Sequence, residues 1–497
     1  MITPSLDEVK RLASNFNVIP VYKTVLADTE TPVSVWLKLF KNQKYSFLLE
    51  SVTGGDSVAR YSFLGGDPFM TFKANRKIWE IDGPDPKNGS DKPVDALRGL
   101  FAQYKHAPVP GLPRLSGGAV GYFSYDSIRL WENLPDKNPK DDPLDDIFFA
   151  FYKDLIAFDN REHRLVLISN IIVEKDTVIE QAYKKAVDSI EQMNSRMKSP
   201  LPCNGVSIRS YKESVSNFKK EEYEKAVERC KEYIKAGDIF QVVLSQRFSI
   251  AVDADPFDMY RILRVINPSP YMYFLSLGQN YIIGASPEML TRIENGMVEV
   301  RPIAGTRKRG ASYEEDEILI KDLKADPKEI AEHVMLVDLG RNDVGRVCEY
   351  GSVHVSDMMH IEKYSHVIHL VSNVQGKLRP EIDAFDALYS CFPAGTLSGA
   401  PKIRAMEIID ELEPVKRGLY GGALGYIDFS GNMDTCIVIR TIIYHEGMAT
   451  IQAGAGIVAD SIPSREYQET VQKANAPFTA IKNAADITGT DNIVEVV

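Results

Sequence analysis

Two pairs of glutamates, each with a three-residue spacing, are the side chains in this sequence best suited to chemistry. Glu329 and Glu332 follow Asp326-Pro327, a strong helix start because Asp caps free backbone N–H groups and Pro suits the first helical position. The spacing places both carboxylates on one face of a helical turn. Glu466 and Glu469 repeat it near the end of the chain. Four carboxylates in one cleft would repel each other unless a hard divalent cation such as Mg²⁺ lay among them.

A purely structural interpretation of each pair stays open. Asp326 and Glu329 have the spacing of a capping box, so Glu329 could simply bond back to the helix cap. Glu466 and Glu469 could form an acidic first turn of the kind that the helix dipole favours. Glu332 has no comparable structural role, and the occurrence of two such pairs favours a metal site.

Groups that could bind an anion occur in the same part of the chain. Arg440 lies in a predicted strand over residues 436–444 whose other members are mostly apolar, so it needs an anion, either a substrate or a salt-bridge partner. A turn at Gly454-Ala455-Gly456 is predicted to end the next strand and to offer backbone N–H groups to a carboxylate. Lys473 follows on the helix after it. Together these groups indicate a substrate with more than one carboxylate.

The same glycines support an alternative function. Gly454-Ala455-Gly456 followed by Ala459 fits the G-x-G-x-x-A dinucleotide fingerprint, so a nicotinamide-dependent oxidoreductase has to be considered. That fingerprint should open a βαβ unit with an acid at the end of the second strand. Here a helix with two glutamates follows and no convincing strand comes after it, which makes the alternative weak.

Three further side chains are candidates for acid–base or positioning roles. Glu288 lies in a Ser-Pro turn after an apolar strand, where burial would raise its pKa and suit it to donate a proton to a leaving hydroxyl. His369 could transfer protons near neutral pH, although a histidine satisfied within a half-buried strand explains it equally well. Gln241 lies in a strand predicted over residues 239–247, on the same face as Val243 and Ser245.

Composition and length predict a large globular chain. It has 497 residues, of which 44% are hydrophobic, enough for two or more domains. Residues 1 to about 200 alternate strand-like runs with turn clusters, Ser199–Gly205 is the best candidate for a linker, and a helix from Lys219 is predicted to stop at Gly237. Two similar hexapeptides, GGAVGY at 117–122 and GGALGY at 421–426, indicate either two related halves or chance similarity of glycine-rich strands.

Charge and termini exclude several functional classes. The net charge is −11, which makes nucleic acid a poor partner. The N-terminus lacks the basic and apolar regions of a signal peptide and no apolar run approaches membrane-spanning length, so we expect a cytoplasmic protein without membrane contact. The five cysteines form no CxxC pair and are expected to be reduced core residues.

Several motifs, taken in chain order, resemble those of the chorismate-utilising enzymes. They are IFQVVLSQR at 239–247, Ser286-Pro287-Glu288, RPIAGTR at 301–307, residues 326–342, PAGTLSGAPK at 393–402 and residues 454–473. The resemblance covers essentially the whole chain. It implies an α+β fold of two β-sheets packed face to face with helices on the outside. It also implies an N-terminal regulatory and structural region, 1–205, and a chorismate-binding catalytic region, 206–497.

The resemblance also assigns roles by motif match. It implies a reaction on chorismate that depends on Mg²⁺ framed by Glu329, Glu332, Glu466 and Glu469. Glu288 would protonate the departing C4 hydroxyl, and His369 would assist proton transfers near the ring. The implied catalytic set is Gln241, Glu288, Thr306 and His369, and the implied substrate-binding set is Gly305, Tyr420, Arg440, Gly454, Ala455, Gly456 and Lys473.

Two positions distinguish branches of this family. Members that add water look to have a lysine base where this chain has Gln241, and a neutral amide cannot deprotonate water, so ammonia is the better nucleophile. Aminodeoxychorismate synthases typically carry lysine where this chain has Ala304; they stay the nearest alternative. The resemblance therefore implies direct amination of chorismate and elimination of pyruvate, giving anthranilate. A catalytically silent regulatory subunit should have lost its metal carboxylates, and this chain has not.

Partner and regulator follow from the same resemblance. The chain has no Gly-x-Cys-x-Gly glutaminase motif, so ammonia would come from a separate glutamine amidotransferase subunit in a hetero-oligomer, a heterotetramer by family expectation. Residues 48–51 resemble the family's tryptophan-sensing motif and 267–272 the segment that faces it, although 48–51 could also be only the edge of a core strand. The predicted site for tryptophan as an allosteric inhibitor comprises Glu50, Ser51, Pro270, Tyr271 and Met272.

Overall fold

The computed structural model describes residues 1–52, 60–201, 208–363 and 367–486. The helices in these ranges are α1 Leu6–Leu12, α2 Pro32–Leu39, α3 Pro93–Phe101, α4 Ile179–Met197, α5 Lys220–Ala236, α6 Pro256–Ile266, α7 Tyr313–Ala325, α8 Pro327–Gly345, α9 Ala384–Cys391, α10 Lys402–Leu412 and α11 Pro463–Asp486, with 3₁₀ turns at Tyr125–Leu130 and Gly395–Leu397.

Strands make up most of the remaining described chain. They are β1 Ile2–Thr3, β2 Val18–Leu26, β3 Tyr45–Glu50, β4 Tyr61–Gly66, β5 Met70–Asn75, β6 Ile78–Asp82, β7 Lys87–Gly89, β8 Gly118–Phe123, β9 Ile147–Tyr152, β10 Asp154–Asp159, β11 Arg164–Ile172, β12 Ile208–Tyr211, β13 Val215–Ser216, β14 Gln241–Ala254, β15 Tyr271–Leu277, β16 Asn280–Ser286, β17 Met289–Glu294, β18 Met297–Val300, β19 Ile303–Lys308, β20 His354–Lys363, β21 Val367–Lys377, β22 Gly399–Ala400, β23 Ala423–Asp428, β24 Met433–Ile437, β25 Thr441–His445 and β26 Met448–Ile457.

The described strands form two large antiparallel sheets that pack face to face. The first runs β1-β2-β11-β10-β4-β3-β15-β16-β25-β26-β14-β12, and the second runs β19-β21-β18-β17-β24-β23-β8-β9-β5-β6-β7. Phe47 and Tyr273 of the first sheet share one buried cluster with Tyr122 and Leu424 of the second, so this cluster is the layer between the sheets. Separate clusters join each sheet to its outer helices. The predicted α+β fold is thereby confirmed.

The two similar hexapeptides mark two related halves of the molecule. They contribute the neighbouring strands β8 and β23, which pair antiparallel with Gly121 opposite Gly425. Outward from this pair the second sheet runs β8, β9, β5, β6 on one side and β23, β24, β17, β18 on the other. The first sheet runs β3, β4, β10, β11, β2 on one side and β15, β16, β25, β26, β14 on the other. The two halves therefore have the same strand order, so that β8 corresponds to β23 and β3 to β15. The helix α4 follows β11 in one half as α11 follows β26 in the other.

Local helix signals in the sequence are confirmed. The Asp326 side chain accepts hydrogen bonds from the backbone N–H groups of Lys328 and Glu329 at 3.0 and 3.4 Å, and α8 begins at Pro327. Gly237 ends α5 in the left-handed conformation with φ of 87°, which glycine adopts without steric cost. The strand predicted over 239–247 begins later, at Gln241, and continues to Ala254.

One strand prediction and one turn prediction were wrong. The strand expected over 436–444 is broken, because the chain leaves the second sheet after β24 and joins the first sheet at β25, with Arg440 between them at φ of 53°. The turn expected at 454–456 does not form, since these residues continue β26 in a ladder with β14, Gly454 opposite Ser245. A glycine fingerprint inside an antiparallel strand opens no βαβ unit, so the dinucleotide-binding alternative is wrong.

The predicted boundary between the two regions lies outside the described residues. The linker expected at 199–205 is described only through Leu201, and Cys203 is likewise outside. Strands of both regions share both sheets, since β3 pairs with β15 and β8 with β23.

Among the described cysteines, Cys230, Cys348, Cys391 and Cys436 are buried free thiols. None of the helices in the described ranges combines the length and the apolar character needed to span a bilayer.

Candidate active site

The predicted catalytic, substrate and metal residues lie around one cleft between the start of α8, the start of α11 and the C-terminal part of β26. Two elements supply the glutamate pairs: Glu329 and Glu332 lie on the first turns of α8, and Glu466 and Glu469 on those of α11. Burial raises the pKa of Glu332, and the negative charges of Glu329 and Glu469 raise it further. Burial likewise raises the pKa of Glu466, with a further contribution from Glu469. The two helix starts therefore face each other through their carboxylates.

On each side of the cleft, a basic side chain pairs with one of the glutamates. Arg307 donates to Glu329 Oε1 at 3.1 Å and to Asp326 at 2.8 Å, while Lys473 Nζ lies 2.7 Å from Glu469 Oε1. Glu329 thus pairs with Arg307 rather than with the helix cap, so the capping-box interpretation is wrong. In the part of the chain that the structure describes, no three His, Cys, Asp or Glu side chains converge closely enough to hold a metal ion.

Glu288 lies between β16 and β17 with its carboxyl group directed at the 3₁₀ turn Gly395–Leu397. Thr396 Oγ1 donates a hydrogen bond to Glu288 Oε1 at 2.9 Å. The surrounding protein raises the pKa of Glu288 to about 7, an effect that this hydrogen bond and the charge of Lys473 only partly oppose. Part of the residue still reaches the cleft surface. Glu288 can therefore be protonated near neutral pH and give that proton to a bound molecule.

His369 and Thr306 lie opposite each other on β21 and β19. The His369 Nδ1 atom lies 3.1 Å from the Gly305 carbonyl oxygen and 3.1 Å from Thr306 Oγ1. Because a carbonyl oxygen only accepts hydrogen bonds, Nδ1 carries the proton in the neutral ring. Burial lowers the pKa of His369, and the nearby Arg440 charge lowers it further. A neutral His369 is therefore the resting form, as a proton acceptor requires.

Arg440 is the cation in the cleft that lacks an anion. Its guanidinium makes no hydrogen bond or ion pair with any other described residue. Burial lowers its pKa, because the surrounding protein replaces water without supplying an opposite charge. An enclosed charge without a partner is costly, and a substrate carboxylate would relieve that cost.

Gly454 and Gly456 lie on β26 directly beneath the side chains of Tyr420 and Gln241. A Cβ atom on Gly454 would lie 2.8 Å from the Tyr420 hydroxyl oxygen, and one on Gly456 would lie 2.8 Å from Gln241 Nε2. Lys473 Nζ donates to the Gly454 carbonyl oxygen at 3.0 Å. A side chain at Gly454 would therefore displace Tyr420 and press on the Leu244 carbonyl oxygen at 3.0 Å, whereas one at Gly456 would displace only the end of the Gln241 side chain. Ala455 is fully buried and contributes only backbone to this edge.

The chain is similar to proteins of a known enzyme family. The model of the chorismate binding enzyme family matches residues 46–479. The chain belongs to the chorismate-binding enzyme family. Anthranilate synthase component 1 of Acetivibrio thermocellus is 52% identical over 98% of this chain and 100% of that protein. The crystal structure of anthranilate synthase component I from Streptococcus pneumoniae superposes with a TM-score of 0.75 at 39% identity, covering 91% of this chain and 98% of the other.

The fold extends to more distant proteins. The menaquinone-specific isochorismate synthase of Escherichia coli superposes with a TM-score of 0.70 over 96% of this chain and 98% of its own. Its sequence identity is 18%, so the likeness is one of fold alone.

The residues predicted to sense tryptophan also come together in this chorismate-binding enzyme. Glu50, Ser51, Pro270, Tyr271 and Met272 line a cavity of about 50 Å³ between the sheets. The Glu50 carboxylate already has partners within the protein, since it accepts hydrogen bonds from the Tyr260 hydroxyl at 2.5 Å and from Arg264 Nε at 2.9 Å. Pairing of Glu50 with a ligand ammonium group stays a prediction. It requires Glu50 to give up its hydrogen bonds to Tyr260 or Arg264.

The sequence reasoning missed several residues of the candidate active site. Thr396 and Arg307 lie inside motifs that carried the family resemblance, but nothing local to them indicated a contact with Glu288 or Glu329. Beneath the cleft, Arg417 donates to the carbonyl oxygens of Leu397 and Val243, each at 2.6 Å. Its buried partner Glu413 accepts a hydrogen bond from the Ser245 backbone N–H at 2.8 Å. This ion pair fixes the 3₁₀ turn that carries Thr396 against β14.

Proposed function

We propose that this chain is the chorismate-binding subunit of an anthranilate synthase. It converts chorismate and ammonia to anthranilate and pyruvate, the first step of tryptophan biosynthesis. The observation that carries the proposal is the enclosed Arg440 guanidinium, which lacks an anion in the same cleft where Glu288 has a pKa of about 7. A cation for a carboxylate and a carboxylic acid for a leaving hydroxyl are what a reaction on chorismate needs. The full-length similarity to anthranilate synthase component 1 supports the same assignment.

Substrate binding begins at the floor of the cleft. Arg440 pairs with one chorismate carboxylate, which also meets the backbone edge at Gly454 and Gly456. Tyr420 is buried and its pKa is raised by burial, so it acts as a neutral hydroxyl donor there. Lys473, held between Glu469 and the Gly454 carbonyl oxygen, adds a second cation on the same side.

Mg²⁺ would bind on the opposite side of the cleft once the four carboxylates there, which do not converge in the described structure, close around it. The negative charges of Glu329 and Glu469 raise the pKa of Glu332, and that of Glu469 raises the pKa of Glu466. A divalent cation among the four carboxylates would offset this repulsion. These four residues would hold the ion, which when bound would neutralise the ring carboxylate of the substrate. Arg307 and Lys473 keep Glu329 and Glu469 ordered for that role.

Glu288 supplies the proton for the first bond cleavage. Its carboxyl group donates a proton to the C4 hydroxyl oxygen, so that the hydroxyl leaves as water while ammonia adds to the ring. Thr396 holds Glu288 Oε1, which orients the other oxygen towards the cleft. His369 then accepts a proton as pyruvate is eliminated and the ring becomes aromatic.

The nucleophile is ammonia rather than water or an enzyme side chain. Gln241 carries an amide that cannot deprotonate water, and the Ala304 methyl group cannot attack the ring. Ammonia would reach the cleft from a glutamine amidotransferase subunit in a hetero-oligomer. Tryptophan, bound near Glu50 and Ser51, would inhibit the reaction as the end product of the pathway.

The test is direct. The pure chain is incubated with chorismate, Mg²⁺ and ammonium, and the product is identified by fluorescence and chromatography. Anthranilate as the main product supports the proposal. Salicylate would indicate water as the nucleophile, aminodeoxychorismate would indicate the neighbouring branch, and either as the main product would refute it.

A further inference from the structure

A second cleft lies in the N-terminal half, outside the candidate active site. It has a volume of about 620 Å³ and lies between the end of β11, the helix α4 and the turn that precedes β5. Phe69, Tyr104, Lys153, Lys185 and Ser189 are among its lining residues. Sites for small molecules commonly have volumes of roughly 300–1,000 Å³. The cleft is therefore large enough for a metabolite of one ring.

The internal duplication makes this cleft the counterpart of the candidate active site. Lys153 immediately precedes β10, as Arg440 immediately precedes β25, and β10 and β25 hold equivalent places in the first sheet. Phe69 lies between β4 and β5 in the sequence Pro68-Phe69-Met70, while Glu288 lies between β16 and β17 in Pro287-Glu288-Met289. The two positions that bind and protonate the substrate in one half thus have named equivalents in the other.

The helices that close the two clefts correspond residue by residue. The α4 segment AYKKAVDS, 182–189, aligns with the α11 segment EYQETVQK, 466–473, since both carry tyrosine at the second position and valine at the sixth. Ala182 therefore takes the place of Glu466, Lys185 that of Glu469, and Ser189 that of Lys473. All three N-terminal residues line the second cleft.

These replacements change the chemistry of the site. Alanine and lysine in place of two carboxylates remove the ligands for a divalent cation, while the Lys185 ammonium itself supplies a positive charge. Neither the Lys153 nor the Lys185 ammonium makes a hydrogen bond or ion pair with another described residue. Phe69 has no proton to donate, so a leaving group would not be activated. The second cleft keeps groups for binding and lacks those for catalysis.

The acidic residues of the cleft do not pair with these two lysines. Asp154 accepts hydrogen bonds from the hydroxyls of Ser169 at 2.5 Å and Ser189 at 2.9 Å. Asp85, Glu174 and Asp176 are exposed at the rim, where Asp85 pairs with Lys87 at 2.5 Å. Burial raises the pKa of Tyr104 to about 12, so its hydroxyl stays a neutral donor. Its ring lies edge-on to Phe69 with centroids 6.2 Å apart, which forms an aromatic wall.

We propose that this cleft binds a small cyclic carboxylate such as benzoate or an aminobenzoate, without metal and without converting it. Lys153 and Lys185 pair with the carboxylate, the Tyr104 hydroxyl donates a hydrogen bond, and the ring packs against Phe69. The location follows from the internal duplication; the choice of a ring carboxylate rests on the proposed function of the other half.

Equilibrium dialysis with radiolabelled benzoate counts the sites on the full chain. Wild type should bind two molecules per chain, and Arg440→Gln should bind one, whether Mg²⁺ or EDTA is present. Adding Lys153→Gln and Lys185→Glu to Arg440→Gln should abolish the remaining binding. The matched control Lys184→Glu, an exposed neighbour on α4 that does not line the cleft, should leave one site.

A second variant keeps the test independent of charge and folding. Ala182→Phe fills the cleft without altering charge, so in the Arg440→Gln background it should also abolish binding, with melting temperature and size-exclusion profile unchanged. The inference is overturned if Arg440→Gln binds no benzoate, or if Ala182→Phe and the lysine variants still bind it. Synthesis of anthranilate by wild type is measured separately, so failure of the proposed function shows as missing product and failure of this inference as a missing second site.

Discussion

Thr396 donates a hydrogen bond to the Glu288 carboxylate at 2.9 Å although 108 positions separate the two residues in the chain. This contact stabilises the ionised form of Glu288 and so works against the burial that raises its pKa to about 7. The contact therefore holds the pKa of Glu288 below the value that burial alone would give.

The first prediction concerns the pH dependence of turnover. A group whose pKa is about 7 in the folded enzyme is protonated below that pH, so kcat should fall as pH rises through 7. Thr396→Val removes the donor at nearly constant shape, raises the pKa of Glu288 and should move the falling limb of the profile to higher pH. Glu288→Gln should lose about 10²–10⁴-fold in kcat and abolish that limb. Glu294→Gln, at the end of β17, is the control, and an unshifted limb in Thr396→Val would contradict the assignment.

The second prediction is a requirement for Mg²⁺. Glu332→Gln and Glu469→Gln each remove one anionic ligand without a change of shape. Loss of residues that only support metal ligands typically costs about 10–100-fold, so loss of a ligand should cost at least the upper end of that range. Glu314→Gln, an exposed acid on α7, should retain full activity. Activity that persists undiminished in EDTA would show that no divalent cation is needed.

The third prediction separates binding from stability at Arg440. Arg440→Gln removes a charge-assisted contact of about 2–5 kcal/mol, so kcat/KM for chorismate should fall roughly 30-fold or more. Because Arg440 has no anion among the described residues, its loss should not lower the melting temperature. Arg417→Gln is the contrast, since it leaves the buried Glu413 without its cation and should cost about 3–5 kcal/mol of stability. Equal destabilisation by both substitutions would mean that Arg440 has a structural anion.

The fourth prediction concerns the source of ammonia. The isolated chain should make anthranilate from ammonium but not from glutamine, because it has no glutaminase nucleophile. Adding a glutamine amidotransferase subunit should confer activity with glutamine, measured by the same fluorescence assay. Glutamine-dependent synthesis by the pure chain would refute the need for a partner.

The fifth prediction is inhibition by tryptophan. A cavity of about 50 Å³ is too small for an indole, so tryptophan should bind a conformation in which this region has opened. A coupling of roughly 1–3 kcal/mol to a less active state would suffice for feedback control. Ser51→Phe should fill the opened site and relieve inhibition while sparing catalysis, whereas Ser199→Phe at an exposed position should not. A tryptophan titration in which both variants match wild type would move the site elsewhere.

Local patterns in the sequence predicted the elements that present the site. Asp326-Pro327 determines where α8 begins, since capping and the geometry of proline act within one turn, and the three-residue spacing then places Glu329 and Glu332 on one face. Gly237 ends α5 for an equally local reason. The motifs around Glu288, Arg440 and 454–473 predicted which residue types would meet, and the structure brings them to one cleft.

Only the tertiary structure decided how those elements are joined. Apolar residues on both sides of Arg440 look like one strand, but the chain crosses there between two sheets, because each half of the run is buried against a different partner. Gly454–Gly456 resembled a turn, yet β14 extends the strand through it. The contacts of Glu288 with Thr396 and of Glu329 with Arg307, like the second cleft, depend on packing between distant segments. The sequence therefore determined the local elements and the chemical groups, and the packing of the two duplicated halves determined which groups meet.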